Sequence, residues 1–249
     1  MKYGLIEAIS HVPMPTELAK ILPRFAKVFE QTYTRFLDLQ KAEAQAREAQ
    51  IQLALERVRA RTMAMHKSEE LQDVVVVLYD QLEPLGLADS GCELILIDEE
   101  NQLLEYWHTN PVQPMQPTRY RIPKTTHPFF EKQWSAWAAG TDGLIIKQEG
   151  EAKLEIERVL FERTAFDKTP EETKEWIMSE DLAVFSHVTM KYGLLEAVGH
   201  EEVSNENFQI LKRFAKVFEQ TYTRFLDLQK AEAQARESQI EAALERVRS

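Results

Sequence analysis

Cysteine is almost missing from this chain: Cys92 stands alone among 249 residues, so neither an intramolecular disulfide nor a cysteine-based zinc site can form. A single thiol fits a reducing compartment, and the expected location is the cytoplasm. Glycine is scarce as well, at 8 residues, which leaves no glycine-rich segment to cradle ATP phosphates. No apolar run approaches the roughly 20 residues that a membrane-spanning helix needs. The start MKYGLIEAIS lacks the cationic-then-apolar order of a signal peptide, so no membrane partner is expected within this sequence. Excess positive charge is absent too: the formal net charge is -11, which sets the whole molecule against a polyanion, and no nucleic-acid partner is expected.

What the chain has is apolar residues and charge in a globular proportion. A hydrophobic share of 44% is ample for a core, and 29% charged residues with so little glycine favour long helices with solvated faces. It also has a repeat. RFAKVFEQTYTRFLDLQKAEAQARE occurs at 24–48 and, unchanged, at 213–237; KYGLIEAISH at 2–11 aligns with KYGLLEAVGH at 191–200, and LERVR at 55–59 with LERVR at 244–248. The offset is 189 residues throughout, the signature of tandem units in a longer parent. The expected organisation is a truncated tail of an upstream unit at 1–22, a long linker helix at 23–65, a complete domain at 66–212, and a second linker copy at 213–249.

Periodicity predicts one long helix from about Phe25 to Leu82, because its central part is rich in Ala, Leu, Glu, Gln and Arg without Gly or Pro. Two seams run along it, Leu39, Ala42, Ala46, Ala49, Leu53 and Ile51, Leu55, Val58, Thr62, Met65, out of phase with each other as in a coiled coil with a stutter. A helix roughly 60 Å long needs a partner, and a parallel homodimer is the expected one. Its interface residues are Phe29, Phe36, Leu39, Ala42, Ala46, Leu53 and Val58.

Pro84 and Gly86 end this helix, and CELILIDEENQLLEYWH reads as a hairpin turning at Asp98–Gln102. A proline-rich stretch holds one short strand near Arg119–Ile122. Next come a helix capped by Thr126 and closed by Gly140, a strand GLIIK, a helix at about Ala152–Glu162, and another opened by a capping box at Thr169–Glu172. LAVFSHVTMKYGLLEAVG gives two last strands, and a long helix runs from Asn205 to the end. The fold class is α+β, an antiparallel sheet with flanking helices, preceded and followed by long coiled-coil-like helices. In the truncated first copy, one strand is expected ahead of the helix.

The closing segment FSHVTMKYGLLEAVGHEEVSNENFQILKRFAKVFEQTYTRF, two adjacent strands and an aromatic-rich helix leaving the domain, resembles the end of a GAF domain. HKSEELQDVVVVLYDQLEPLGL followed by CELILID is similar to the opening of one. The resemblance covers about residues 66–225, with a second tail at 1–36. It implies a non-enzymatic sensory module of a tandem-GAF bacterial signalling protein, of histidine kinase, cyclase or transcription-regulator type, whose paired helices relay a state to an output domain elsewhere in the parent chain. It also implies a small ligand bound between the sheet and the elements around its middle strands, here 111–140. The alternatives are a ligand-free dimerising spacer and a redox enzyme built on Cys92.

Side-chain alternation sets Leu104, Tyr106 and His108 on one face of a strand, Tyr120 and Ile122 on another, and Ala183, Phe185 and His187 on a third. With Phe130, Trp134 and Trp137 from the intervening helix, they give the candidate ligand-binding set Tyr106, His108, Tyr120, Phe130, Trp134, Phe185 and His187. The same residues would also make an ordinary core. No chromophore, haem or metal signature is present, so the cofactor is unknown. Glu93 follows Cys92 where bilin-binding members of the family commonly have histidine, and sulfoxide reduction would need a second thiol. His66 lacks the acidic neighbour of a phospho-accepting histidine. His108, His127 and His187 have no spacing that makes them metal ligands, and the carboxylate pairs Glu99–Glu100 and Glu171–Glu172 fit a solvated turn and a first helical turn.

Overall fold

The computed structural model describes residues 2–9, 11–109, 118–163, 167 and 169–248. The chain divides into two compact units, Met1–Gln52 and Leu53–Ser249. No helix among the described residues is long and apolar enough to cross a membrane.

The first unit holds one turn of helix, α1 (Thr16–Ala19), and most of α2 (Leu22–Met63), whose residues 53–63 belong to the second. Pro23 sits in the first turn of α2, where a missing N–H costs nothing; no Gly or further Pro follows it in the helix, whose 42 residues span about 63 Å at 1.5 Å per residue. The strand expected in the first copy does not form. Residues 2–9 have no regular structure, because a strand needs a neighbour to take its N–H and C=O groups. They are still tied to α2: the Lys2 N–H donates to Glu30 Oε1 (3.1 Å), and the Tyr3 and Thr34 hydroxyls lie 3.2 Å apart. The Tyr3 ring also packs edge-on against Tyr33 at 5.0 Å.

The second unit is built on a six-stranded sheet, β1 (Gly91–Asp98), β2 (Leu103–Thr109), β3 (Thr118–Pro123), β4 (Gly143–Glu149), β5 (Leu182–Met190) and β6 (Gly193–Gly199), in the order β3-β2-β1-β6-β5-β4. Every neighbouring pair is antiparallel. The α+β class with long helices before and after the sheet is as the periodicity predicts. Central β1 is buried along most of its length, which explains its continuous apolar run. Gly193 opens β6 at φ +150, where an added Cβ would lie 1.8 Å from the Ile95 carbonyl oxygen, so only glycine fits this close approach.

The single helix predicted to Leu82 is two. After Met63 the chain tightens (Met65 N–H to Thr62 O, 3.2 Å), Lys67 is extended, and a 3-10 turn at Ser68–Glu70 leads into α3 (Leu71–Leu82). No Gly or Pro marks this break. It is set by tertiary contacts: Glu70 reaches back to the His66 N–H (3.3 Å) and Arg61 (3.7 Å), while Arg61 pairs with Asp73 (2.5 Å) and Arg57 with Gln81 (3.0 Å), so α3 returns along the end of α2.

This hairpin also accounts for the out-of-phase seams. Ile51, Leu55, Val58, Thr62 and Met65 are all buried within the chain, whereas Leu39, Ala42, Ala46, Ala49 and Leu53 are exposed. The second seam is intramolecular packing rather than a coiled-coil stutter, and Val58 is spent inside the chain rather than offered to a partner.

Strand alternation divides the core in two. On one face Ile95, Leu104, Tyr106, Tyr120, Ile122, Ile146 and Leu194 pack with Phe129 and Phe130 of α4 (Pro128–Ala138) and Ile156 of α5 (Gly150–Arg163). The other face carries Cys92, Leu94, Leu195 and Ala197, all buried; α3 lies along β1 and β2, and α7 (Asn205–Arg248) along β5 and β6. The α7 helix is capped by Ser204, whose Oγ accepts the Asn207 N–H at 3.2 Å.

Two expected caps are different. Pro128 occupies the first position of α4, so the cap is His127, whose Nδ1 accepts the Phe129 N–H (3.2 Å), and Thr126 lies one residue too early. The residue before α6 (Glu171–Ser179) is Pro170, which has no side chain to cap with; the Thr169 hydroxyl lies 3.3 Å from the Tyr120 hydroxyl instead.

Candidate functional site

Four polar side chains form a row across the middle of the sheet. Register places His108 of β2 opposite Glu93 of β1, Glu93 opposite Glu196 of β6, and Glu196 opposite His187 of β5. All share the face covered by α4 and α5, between residues that are otherwise apolar. Burying two carboxyls and an imidazole there is costly unless each finds a partner.

The partners are specific. Glu93 Oε1 lies 2.5 Å from His108 Nδ1. Gln133, fully buried on α4, accepts from the Tyr106 hydroxyl and spends its two amide hydrogens on His187 Nε2 (2.8 Å) and Glu196 Oε2 (3.0 Å). The Leu144 carbonyl accepts from His187 Nδ1 at 3.0 Å, which fixes the tautomer and leaves Nε2 as the acceptor that Gln133 and Glu196 both approach.

The protonation states follow. Burial pulls His187 down to about 4, against the opposing pulls of the Leu144 carbonyl and the Glu93 charge, so the imidazole is neutral at pH 7. Burial, followed by the charge of Glu93 and a hydrogen bond with it, pushes Glu196 well above the ordinary carboxylate value. Burial also pushes Glu93 upward, but the His108 charge and hydrogen bond outweigh it and hold Glu93 below the ordinary value. Of the two neighbouring carboxyls, Glu93 is therefore the readier to carry the charge and Glu196 the readier to hold a proton. Glu196 Oε1 accepts no hydrogen bond among the described residues, although it is buried.

Glu93, His108 and Glu196 of this row form part of the floor of a pocket of about 100 Å³. Phe129, Phe130, Ile156, Leu160, Trp176 and Phe185 supply apolar walls. On α5, Lys153 and Glu157 are also buried: Lys153 Nζ donates to Glu157 Oε1 and to the Ile177 carbonyl of α6 (2.6 Å), while Glu157 Oε2 accepts no hydrogen bond among the described residues. Burial raises the Glu157 carboxyl despite the adjacent Lys153. Nearer solvent, His200 bridges Asp89 and Glu180, each at 3.0 Å.

Of the seven candidate residues, Tyr106, His108, Phe130 and Phe185 line this pocket. His187 stands behind Glu196 in the polar network. Tyr120 is buried in the core, and Trp134 is partly buried against it with Lys124 over its ring at 4.4 Å. Residues 111–117 of the segment expected to shape the pocket lie outside the described residues.

Glu93, Gln133, Lys153, Glu157 and Glu196 were missed by sequence reasoning. The available signal was a lone charged letter at an inward position of an apolar strand, in CELILID and again in GLLEAVG. Cys92 is on the opposite face, fully buried, and burial pushes its thiol well up. No group of three or more His, Cys, Asp or Glu side chains among the described residues is arranged to hold a metal ion.

No family model matches the chain, and no curated protein shows significant similarity to it. The functional reading therefore rests on the geometry above.

Proposed function

We propose that this chain is a GAF-like sensory module of a cytoplasmic bacterial signalling protein that holds a small molecule between its sheet and the α4–α6 layer. The six-stranded antiparallel sheet with flanking helices is compatible with that fold. The observation that carries the reading is the pocket: apolar walls converge on a few buried polar groups, the composition of small-molecule sites. Occupancy would be relayed through the sheet to α7, which packs on β5 and β6 and leaves the domain as the linker. The helices pair as a homodimer and act on an output domain of the parent chain. Indole, as an apolar probe, is expected to shift the backbone amide resonances of α4–α6 and raise the melting temperature, and Ala183→Trp, which fills the pocket, is expected to abolish both. A folded protein that indole leaves unmoved would refute the ligand reading.

The second reading, a dimerising spacer, is favoured by the exposed stripe of Phe29, Phe36, Leu39, Ala42, Ala46 and Leu53 on α2. It needs the same dimer and no ligand. Sedimentation at tens of micromolar tests the dimer common to both, and a monomer there would sink it.

A further inference from the structure

The pocket carries more chemistry than an apolar guest requires. Two carboxyl groups from different layers line it, Glu196 from the sheet and Glu157 from α5, and each has one buried oxygen that accepts no hydrogen bond among the described residues. A buried acceptor without a donor costs roughly as much as a lost hydrogen bond. Glu157 Oε2 bears that cost outright, and Glu196 escapes it only through the hydrogen bond it shares with the neighbouring Glu93 carboxyl.

Resting on the pocket reading above, we propose that the pocket's ligand is an organic cation, an amine or amidine whose N–H groups donate to Glu196 Oε1 and Glu157 Oε2 while its apolar body lies between Phe129, Ile156, Trp176 and Phe185. The other oxygen of each carboxyl is already committed, Glu157 Oε1 to Lys153 and Glu196 Oε2 to Gln133, so both groups are held in place before the ligand arrives. An anion would meet Glu93, Glu157, Glu180 and Glu196 in the same lining. A neutral ligand could donate to the orphan oxygens but would not favour their ionised form.

Cation entry expels a proton. The groups facing Glu196 are Glu93 on β1, Tyr106 and His108 on β2, His187 on β5 and Gln133 on α4; Lys153 faces Glu157. Of these, His187 is neutral and Glu93 is held toward its anionic form, an environment that favours a proton on Glu196. A cation against Oε1 reverses that preference, and the Glu196 proton passes to the buffer. Affinity accordingly rises with pH across the range in which Glu196 is protonated in the empty pocket.

The test is calorimetry on the full chain with four probes: benzamidinium, benzamide, benzoate and indole. Benzamidinium is expected to bind at least about tenfold more tightly than benzamide, the scale of a charged hydrogen bond in a buried site. Its binding heat should differ between Tris and phosphate in proportion to the released proton. E196Q and E157Q, each confirmed folded by circular dichroism, should each erase the preference for benzamidinium over benzamide; E157Q sits in the helix layer and is read independently of the sheet. If indole binds but benzamide or benzoate equals benzamidinium, the cation assignment falls and the pocket stands. If none of the four binds the folded chain, the pocket reading falls and takes the assignment with it.

Discussion

The two copies of RFAKVFEQTYTRFLDLQKAEAQARE are the same molecule in two environments. In the second copy Phe214 and Phe218 are completely buried on the sheet; their counterparts Phe25 and Phe29 are 62% and 49% exposed. The local geometry is nevertheless duplicated. Phe218 stacks on Tyr222 at 5.1 Å and Phe29 on Tyr33 at 5.6 Å; Tyr192 bonds to Thr223 at 2.9 Å and Tyr3 pairs with Thr34 at 3.2 Å; the Lys191 and Lys2 N–H groups find Glu219 and Glu30 at 2.7 and 3.1 Å. Helix and latch are thus properties of the segment itself. The strand is not: Gly193–Gly199 is β6, while residues 4–9, which match its first six, stay irregular. What differs is a neighbouring sheet, and the contrast separates what a sequence encodes locally from what its surroundings complete.

The largest test of this contrast is truncation of one ring in each copy. Phe218→Ala should cost about 3–5 kcal/mol in urea denaturation, and Phe29→Ala less than about 0.5 kcal/mol. A loss at Phe29 that grows with protein concentration would mean that a second molecule covers the first copy, as the proposed dimer requires.

Next is pH. His187 has its folded value near 4, below the ordinary 6.5, so the folded state binds fewer protons than the unfolded state between those values, and stability falls as pH drops from 6.5 to 4, by about 3 kcal/mol. His187→Gln should flatten that acid limb. Glu196 runs the other way: its folded value is raised, so its contribution is present at low pH and is lost as pH rises through the raised value. Glu196→Gln should reshape the stability–pH curve accordingly.

Glycine gives a third pair. Gly193→Ala drives a Cβ into the Ile95 carbonyl at φ +150 and should cost about 2 kcal/mol or more; Gly4 has a similar φ, +154, but open space around it, so Gly4→Ala should cost clearly less in the same denaturation. Smallest is the latch hydroxyl. Tyr192→Phe should cost about 1 kcal/mol, while Tyr3→Phe, on an exposed segment, should be close to neutral.

Much of this architecture was legible in the sequence, since strands and helices follow from period and from the few Gly and Pro residues, and the α+β order emerges from them. The break after Met63 was not, because it depends on Arg61 meeting Glu70 and Asp73 across a turn without a breaker residue. The pocket was half legible. Aromatics at alternating positions pointed to Tyr106, Phe130 and Phe185, but the alignment of Glu93, Glu196 and His187 across three strands is a matter of register, which no single strand specifies. Gln133 joins them only because α4 folds over that face.

The latch bears on how the domain folds as well as on what it is. Its contacts join residues some 30 apart along the chain and persist in the first copy, where no sheet supports them. In the second copy the β5–β6 turn can therefore be fastened to the helix before the long-range strand pairing is complete, which shortens the loops that pairing must close. Tyr192→Phe should accordingly slow refolding in stopped-flow measurements and leave the unfolding rate nearly unchanged; an effect confined to unfolding would place the latch after the rate-limiting step.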